Sequence, residues 1–278
     1  MTPIAPTRKS TVNPPLRVRL VFDTAAAALL LAGLAYYWLG NVAHEVIGSA
    51  MFALVFLHNA FNRRRYGGLT RARREPRGIV DIVVVLALIG TMLVLLVTSL
   101  TISNAVFSGL GLNGGFTAKQ VHTLAAYWAL VIVSIHLGLR WPTIMGAVRN
   151  LCGIARASRV RTITLRAIAF VIAVQGVRSS FELAMGSRMS MQVTLDWWDF
   201  EASVAGFFFH CIAVAGLYVV TTYCVTRWLA WPRRAATGGL RSIEAAASRV
   251  PEQGPVIPWS DNSSASDELR AIPERVLA

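Results

Sequence analysis

Four histidines stand in two apolar stretches, and their spacing repeats. NVAHEVIGSAMFALVFLHNAFNRRR, from Asn41 to Arg65, carries His44 and His58; KQVHTLAAYWALVIVSIHLGLRW, from Lys119 to Trp141, carries His122 and His136. In each stretch the two lie fourteen residues apart, which on an α-helix means about 21 Å of rise and about 40° of angular drift. Each helix therefore presents two imidazoles on nearly one face, one toward each end. That is the geometry needed to hold two stacked haems between two helices, each iron gripped by one neutral imidazole from either side. Ionisable side chains are costly in hydrocarbon, so four of them at matched positions demand a reason, and bis-histidine ligation supplies one.

The setting is a membrane. Of 278 residues, 55% are hydrophobic and only 15% charged, which moves the chain out of the soluble class. Several apolar runs approach or exceed the roughly 20 residues a helix needs to cross hydrocarbon. The first follows a basic N-terminus and is read as an uncleaved span rather than a removable leader. A net charge of +13 raises nucleic acid as a partner, but its distribution argues against one. Of 27 Lys and Arg, 24 fall before Leu20, between Arg63 and Arg77, between Arg140 and Arg166, or from Arg227 onward. Basic loops alternating with apolar spans are the positive-inside pattern of a membrane protein. Cys152, Cys211 and Cys224 lack metal-binding spacing, and there is no C-x-x-C-H. Haem would therefore be held non-covalently, and the cysteines read as small buried apolar side chains.

These features predict an all-α fold, an integral membrane six-helix bundle with both termini cytoplasmic. Residues 1–19, with four prolines and four basic residues, read as a disordered lead, and 232–278 as a disordered tail. Spans are expected at 20–39, 42–61, 79–102, 121–139, 162–177 and 202–231, with a tight turn at Gly40 and Asn41. The first four, within 20–141, make a cytochrome b-like four-helix haem-binding core; 142–231 is a cytoplasmic linker with helices 5 and 6. Helix 5 is the weakest span, its Arg166 snorkelling to the interface. Between helices 5 and 6, Ser179 to Glu201 is acidic and aromatic, suiting an interfacial helix. Helices 2 and 4 are separated by one span and so run parallel. This sets His44 level with His122 near the outside, and His58 level with His136 near the cytoplasm.

Neighbouring residues fit two readings each. Gly48, one turn from His44, and Ala126, one turn from His122, leave room for a flat macrocycle or simply let helices pack. Arg63, Arg64 and Arg65 stand where they could pair with the propionates of the inner haem, and topology alone also explains them. Glu45 beside His44 reads as a solvated interfacial carboxylate or as an aid to proton exchange; His210 reads as a bundle histidine or part of a quinone pocket. The 47-residue tail holds no glycine-rich dinucleotide fingerprint.

HEVIGSAMFALVFLHNAFNRRR, followed by VFSGLGLNGGFTAKQVHTLAAYWALVIVSIHLGLRW, resembles the flavinylation-associated cytochrome family of bacterial membrane proteins. The likeness runs from about Leu20 to Trp141, and GVRSSFELAMGS and DWWDFE echo the family's second half. The resemblance implies a di-haem, cytochrome b-like bundle in the bacterial cytoplasmic membrane that passes electrons to flavin-bearing extracytoplasmic proteins. The motif histidines fall on His44, His58, His122 and His136.

The expected function is transmembrane electron transfer through two non-covalent b-type haems, as an electron-transfer subunit rather than a self-contained enzyme. Bis-histidine ligation leaves no open coordination site and disfavours oxygen chemistry. With no flavin or dinucleotide module in the chain, the donor is expected to be membrane quinol or a cytoplasmic reductase. The acceptor, an extracytoplasmic flavoprotein, is expected to dock on Ser103 to Gln120 and Ser179 to Glu201; membrane lipid is the remaining partner. One rival is the quinol-reactive cytochrome b subunit of a dehydrogenase or hydrogenase, with a quinone pocket near His210 or Arg166 and sensitivity to quinone analogues. Another is a haem-free transporter or proton pathway using His and Glu as relays, which predicts a colourless protein. A structural scaffold gives no reason for matched histidines.

Overall fold

Pro14 and Pro15 open the first helix, where a missing N–H removes no intrahelical bond. Residues assigned by composition to the lead thus form its first turns. The computed structural model describes residues 14–66, 76–112, 114–153, 158–192 and 198–229, with the side chains of 14–17, 19, 62–66 and 76–77 excepted. The rest of the expected lead and the expected tail lie outside these. Among the described residues all regular structure is helical: α1 (Pro14–Leu34), α2 (Tyr36–Tyr66), α3 (Pro76–Ile102), a 3-10 turn (Ser108–Leu110), α4 (Phe116–Leu151), α5 (Arg159–Glu182), α6 (Met185–Met189) and α7 (Val204–Leu229).

Five of these, α2 to α5 and α7, are long and apolar enough to cross a membrane, which makes this a multi-pass membrane protein. The first expected span falls short. The apolar part of α1 runs only from Leu20 to Leu34, below the roughly 20 residues a perpendicular crossing needs. The cause is a break at Ala35, which assigns Tyr36, Tyr37 and Trp38 to the start of α2 instead of the end of α1. The Ala35 carbonyl accepts from Trp38 N and Leu39 N, both at 3.1 Å. Gly40 then adopts φ 74°, ψ 173°, a region essentially closed to residues with a Cβ. The chain reverses here, where the turn at Gly40 and Asn41 was expected. Phe22 stacks against Phe61 with ring centroids 6.1 Å apart, so α1 and α2 form an antiparallel pair.

α3 packs on α4, and α7 packs on both α4 and α5. On α3, Val83, Leu86, Ile89, Leu93 and Val97 are exposed at helical spacing while Leu95 and Thr98 are buried. Such an outward apolar stripe is what lipid solvates. α4 is the shared wall of two cores. Ala125 and Ala129 meet Leu30, Met51 and Leu95 on one side; Tyr127, Leu130 and Val131 meet Met185, Phe207, Cys211 and Val214 on the other. α5 approaches α7 closely at Gly176, where an added Cβ would lie 2.5 Å from the Ala213 carbonyl oxygen. Small residues at such crossings let membrane helices pack backbone to backbone.

Other boundaries move. α4 has 36 residues and continues through Pro142 to Leu151, not ending at Leu139. A proline deletes one backbone donor, and flanking turns carry the helix past it. α5 begins at Arg159, its first turn capped by Ser158 Oγ accepting from Arg161 N. Within the stretch expected to hold an interfacial helix, the described residues beyond α5 contain one short helix, α6, and 193–197 lie outside the described residues. Of the three cysteines only Cys211 is buried; Cys152 and Cys224 are exposed.

Candidate functional site

Past Gly40, α2 runs without a break through His44 and His58, and α4 runs through His122 and His136 before reaching Pro142. The helical repeat then keeps each pair about 21 Å apart along its axis. The fold brings the imidazoles of His44 and His122 together, with ring centroids 5.9 Å apart and planes at 71°. The backbones of α2 and α4 are not among the closely packed helix pairs; α2 packs on α1, and α4 on α3 and α7. The two rings therefore reach across a gap.

The gap is a half-open cleft of about 820 Å³, its mouth included, walled by α1, α2, α3 and α4. Its lining joins His44, Gly48, His122 and Ala126 to an apolar wall that includes Leu30, Leu34, Met51, Phe52, Leu95 and Phe107. A Cβ built on Gly33 or Gly48 meets nothing within 4 Å, so these positions open onto the cavity.

Hydrogen bonding fixes the chemistry of one ring. Thr98 Oγ1 donates to the Val94 carbonyl at 2.7 Å and also lies 3.1 Å from the Leu95 carbonyl. Its hydrogen so engaged, it can only accept from His122 Nδ1, 3.0 Å away. His122 is thereby held as the Nδ1–H tautomer with its lone pair on Nε2, the form that binds a metal. On His44 the Gly33 carbonyl is in reach of the ring, while the buried Nδ1 has no hydrogen-bond partner. Buried polar atoms without partners are rare in native proteins. Two metal–imidazole bonds of about 2.0–2.1 Å put facing ring centroids about 6 Å apart, which the His44–His122 separation matches. These residues fit a haem iron.

At the opposite end His58 Nδ1 donates to Asp23 Oδ1 at 2.5 Å. This carboxylate–histidine contact likewise leaves the lone pair on Nε2. His136 feels the charges of His58, Asp23, Asp81 and Arg140, and Arg140 pairs with Asp81 at 3.6 Å. Arg63, Arg64 and Arg65 close α2, but their side chains lie outside the described residues. No group of three or more His, Cys, Asp or Glu able to hold a metal ion is present among the described residues. A bis-histidine haem asks only two ligands of the protein.

Glu45 is not freely solvated. Its carboxylate accepts from Ser103 Oγ at 2.7 Å, Asn104 N at 2.9 Å, Val106 N at 2.7 Å and Asn41 Nδ2 at 2.8 Å, with Ala105 N at 3.2 Å. It therefore clamps the segment after α3 onto α2. His210 bonds Ser179 Oγ through Nδ1 at 2.8 Å and stands edge-on to Trp198, a bundle histidine tying α7 to α5. Arg166 is exposed on α5.

Sequence reasoning missed Asp23 and Thr98. Asp23 had a signal: it is the single acidic residue before Glu45 and stands within an apolar helix, where a charge asks for a partner. Thr98 had none, since hydroxyls are common in membrane helices and usually bond their own backbone. Comparison of the chain with protein-family models, with curated proteins and with solved structures finds no match.

Proposed function

We propose that the protein is a membrane cytochrome that relays electrons through two bis-histidine b-type haems, one between His44 and His122 and one between His58 and His136. The observation that carries this reading is the cleft between α2 and α4, where a tautomer-locked His122 faces His44 across a gap bridged by side chains alone. In this reading α1 to α4 form a cytochrome b-like core and α1 is the sixth, short span, tolerated by tilt or local thinning of the bilayer. Both termini are cytoplasmic, so the Glu45 end faces outside in a bacterial cytoplasmic membrane.

Each haem supplies a reversible one-electron couple. The chain supplies the rest. Thr98 and Asp23 orient their imidazoles, an apolar wall lines the outer site, and Gly48 and Ala126 give a planar group room to lie against the helices. Arg63 to Arg65 are proposed to pair with the propionates of the inner haem. Electrons pass from membrane quinol or a cytoplasmic reductase to an extracytoplasmic flavoprotein docking at the Glu45 end. The test is a reduced-minus-oxidised spectrum with haem quantitation on purified protein. Two haems per chain are expected, falling to about one in His58→Ala and in His122→Ala. A colourless protein whose spectrum ignores both substitutions would sink the proposal and favour a haem-free proton pathway.

A further inference from the structure

The two candidate sites hold their histidines by unlike partners. His58 gives its Nδ1–H to a carboxylate, Asp23 Oδ1, at 2.5 Å. His122 gives its own to a neutral hydroxyl already engaged with the Val94 carbonyl, and His44 Nδ1 has no hydrogen-bond partner. A carboxylate on Nδ1–H pulls the proton away from the ring, raises electron donation from Nε2 and favours the ferric over the ferrous state. A hydroxyl does so only weakly. Other charges also act at both sites, Glu45 near His44 and Arg140 and Asp81 near His136, but none of these three bonds a candidate ligand. Arg140 is paired with Asp81 at 3.6 Å, which offsets part of its charge at His136. Glu45 is engaged by the segment after α3 and bonds neither candidate ligand.

We infer that Asp23 is a positioning residue that makes the His58/His136 haem the lower-potential member of the pair; this rests on the two-haem reading above. Internal transfer then has a set direction. With both groups bound, one electron would pass from ferrous iron held by His58 and His136 to ferric iron held by His44 and His122, with no bond made or broken and no proton exchanged. An electron entering at the Asp23 end runs downhill toward the Glu45 end.

The experiment is spectroelectrochemical reduction of the purified holoprotein at fixed pH, after haem has been quantified. His122→Ala, expected to keep one haem, identifies which reduction wave belongs to His58/His136. Asp23→Asn is expected to move the lower wave upward and narrow the gap, leaving the upper wave in place. Asp23→Glu, which keeps a carboxylate, is expected to hold the lower wave near its wild-type position. Two haems with waves that ignore Asp23→Asn overturn the inference alone, as does an equal shift in Asp23→Asn and Asp23→Glu. A preparation without two haems overturns it together with the reading beneath it.

Discussion

Thr98 commits its hydroxyl hydrogen to the Val94 carbonyl at 2.7 Å and receives the Nδ1–H of His122 at 3.0 Å. A helix-bound threonine thus decides which nitrogen of a histidine on the next helix carries the lone pair. Removing such an outer partner lowers metal affinity by about 10–100-fold. Thr98→Val keeps the shape and deletes the acceptor, so haem titrated into the apoprotein is expected to bind that much more weakly at one of two sites. Thr98→Ser should restore it. Equal affinity in the valine variant would count against His122 as a ligand.

The Glu45 clamp makes a prediction about the segment after α3. Charge-assisted hydrogen bonds contribute about 1.5–3 kcal/mol each when removed from a partner, and Glu45 accepts from three successive backbone amides, Asn104 to Val106. In Glu45→Ala, hydrogen exchange of residues 104–107 is expected to speed at least tenfold, while α2 beyond Gly48 stays protected. Exchange that remains slow would mean the segment holds itself.

Gly176 tests the crossing of α5 on α7. Its missing Cβ would meet the Ala213 carbonyl oxygen at 2.5 Å and Leu217 Cβ at 2.6 Å, neither of which is a flexible side-chain tip. Gly176→Ala is expected to destabilise the bundle by about 1–3 kcal/mol through overpacking. Gly90, where a Cβ meets nothing within 4 Å, is the control. Gly90→Ala should be neutral or stabilising, since alanine is the better helix former. Thermal unfolding in detergent compares them, and similar midpoints would show that α5 can shift to make room.

Tyr127 ties α6 to α4. Its hydroxyl accepts from Arg188 Nη1 at 2.8 Å, and the guanidinium carbon also stands 5.2 Å from the ring centroid. Tyr127→Phe removes the hydrogen bond and keeps the cation–π contact, at an expected cost of about 1.5–3 kcal/mol. Unfolding midpoints again provide the measurement. No change would assign the hold on Arg188 to its other contacts.

Periodicity and composition were enough to read the helical class, the membrane setting, the reversal at Gly40 and the register of two histidines on each of two helices. These follow from local rules: a 3.6-residue repeat, the cost of polar groups in hydrocarbon, and glycine's access to positive φ. Where a helix ends was less legible. Tyr36 to Trp38 passed to α2 and Pro142 sits inside α4, because a break depends on which turns find packing partners as well as on the residues at the break. The partners of the histidines belong wholly to the tertiary structure. Asp23 is 35 residues from His58, and Thr98 is 24 from His122; no repeat along one helix links them. Glu45 gives the same lesson, since only the return of the chain after α3 brings backbone amides to its carboxylate. The sequence set the helical register of each imidazole pair by itself. Which atom faces it, and so which nitrogen keeps the lone pair, was decided when neighbouring helices packed and buried donors had to find acceptors.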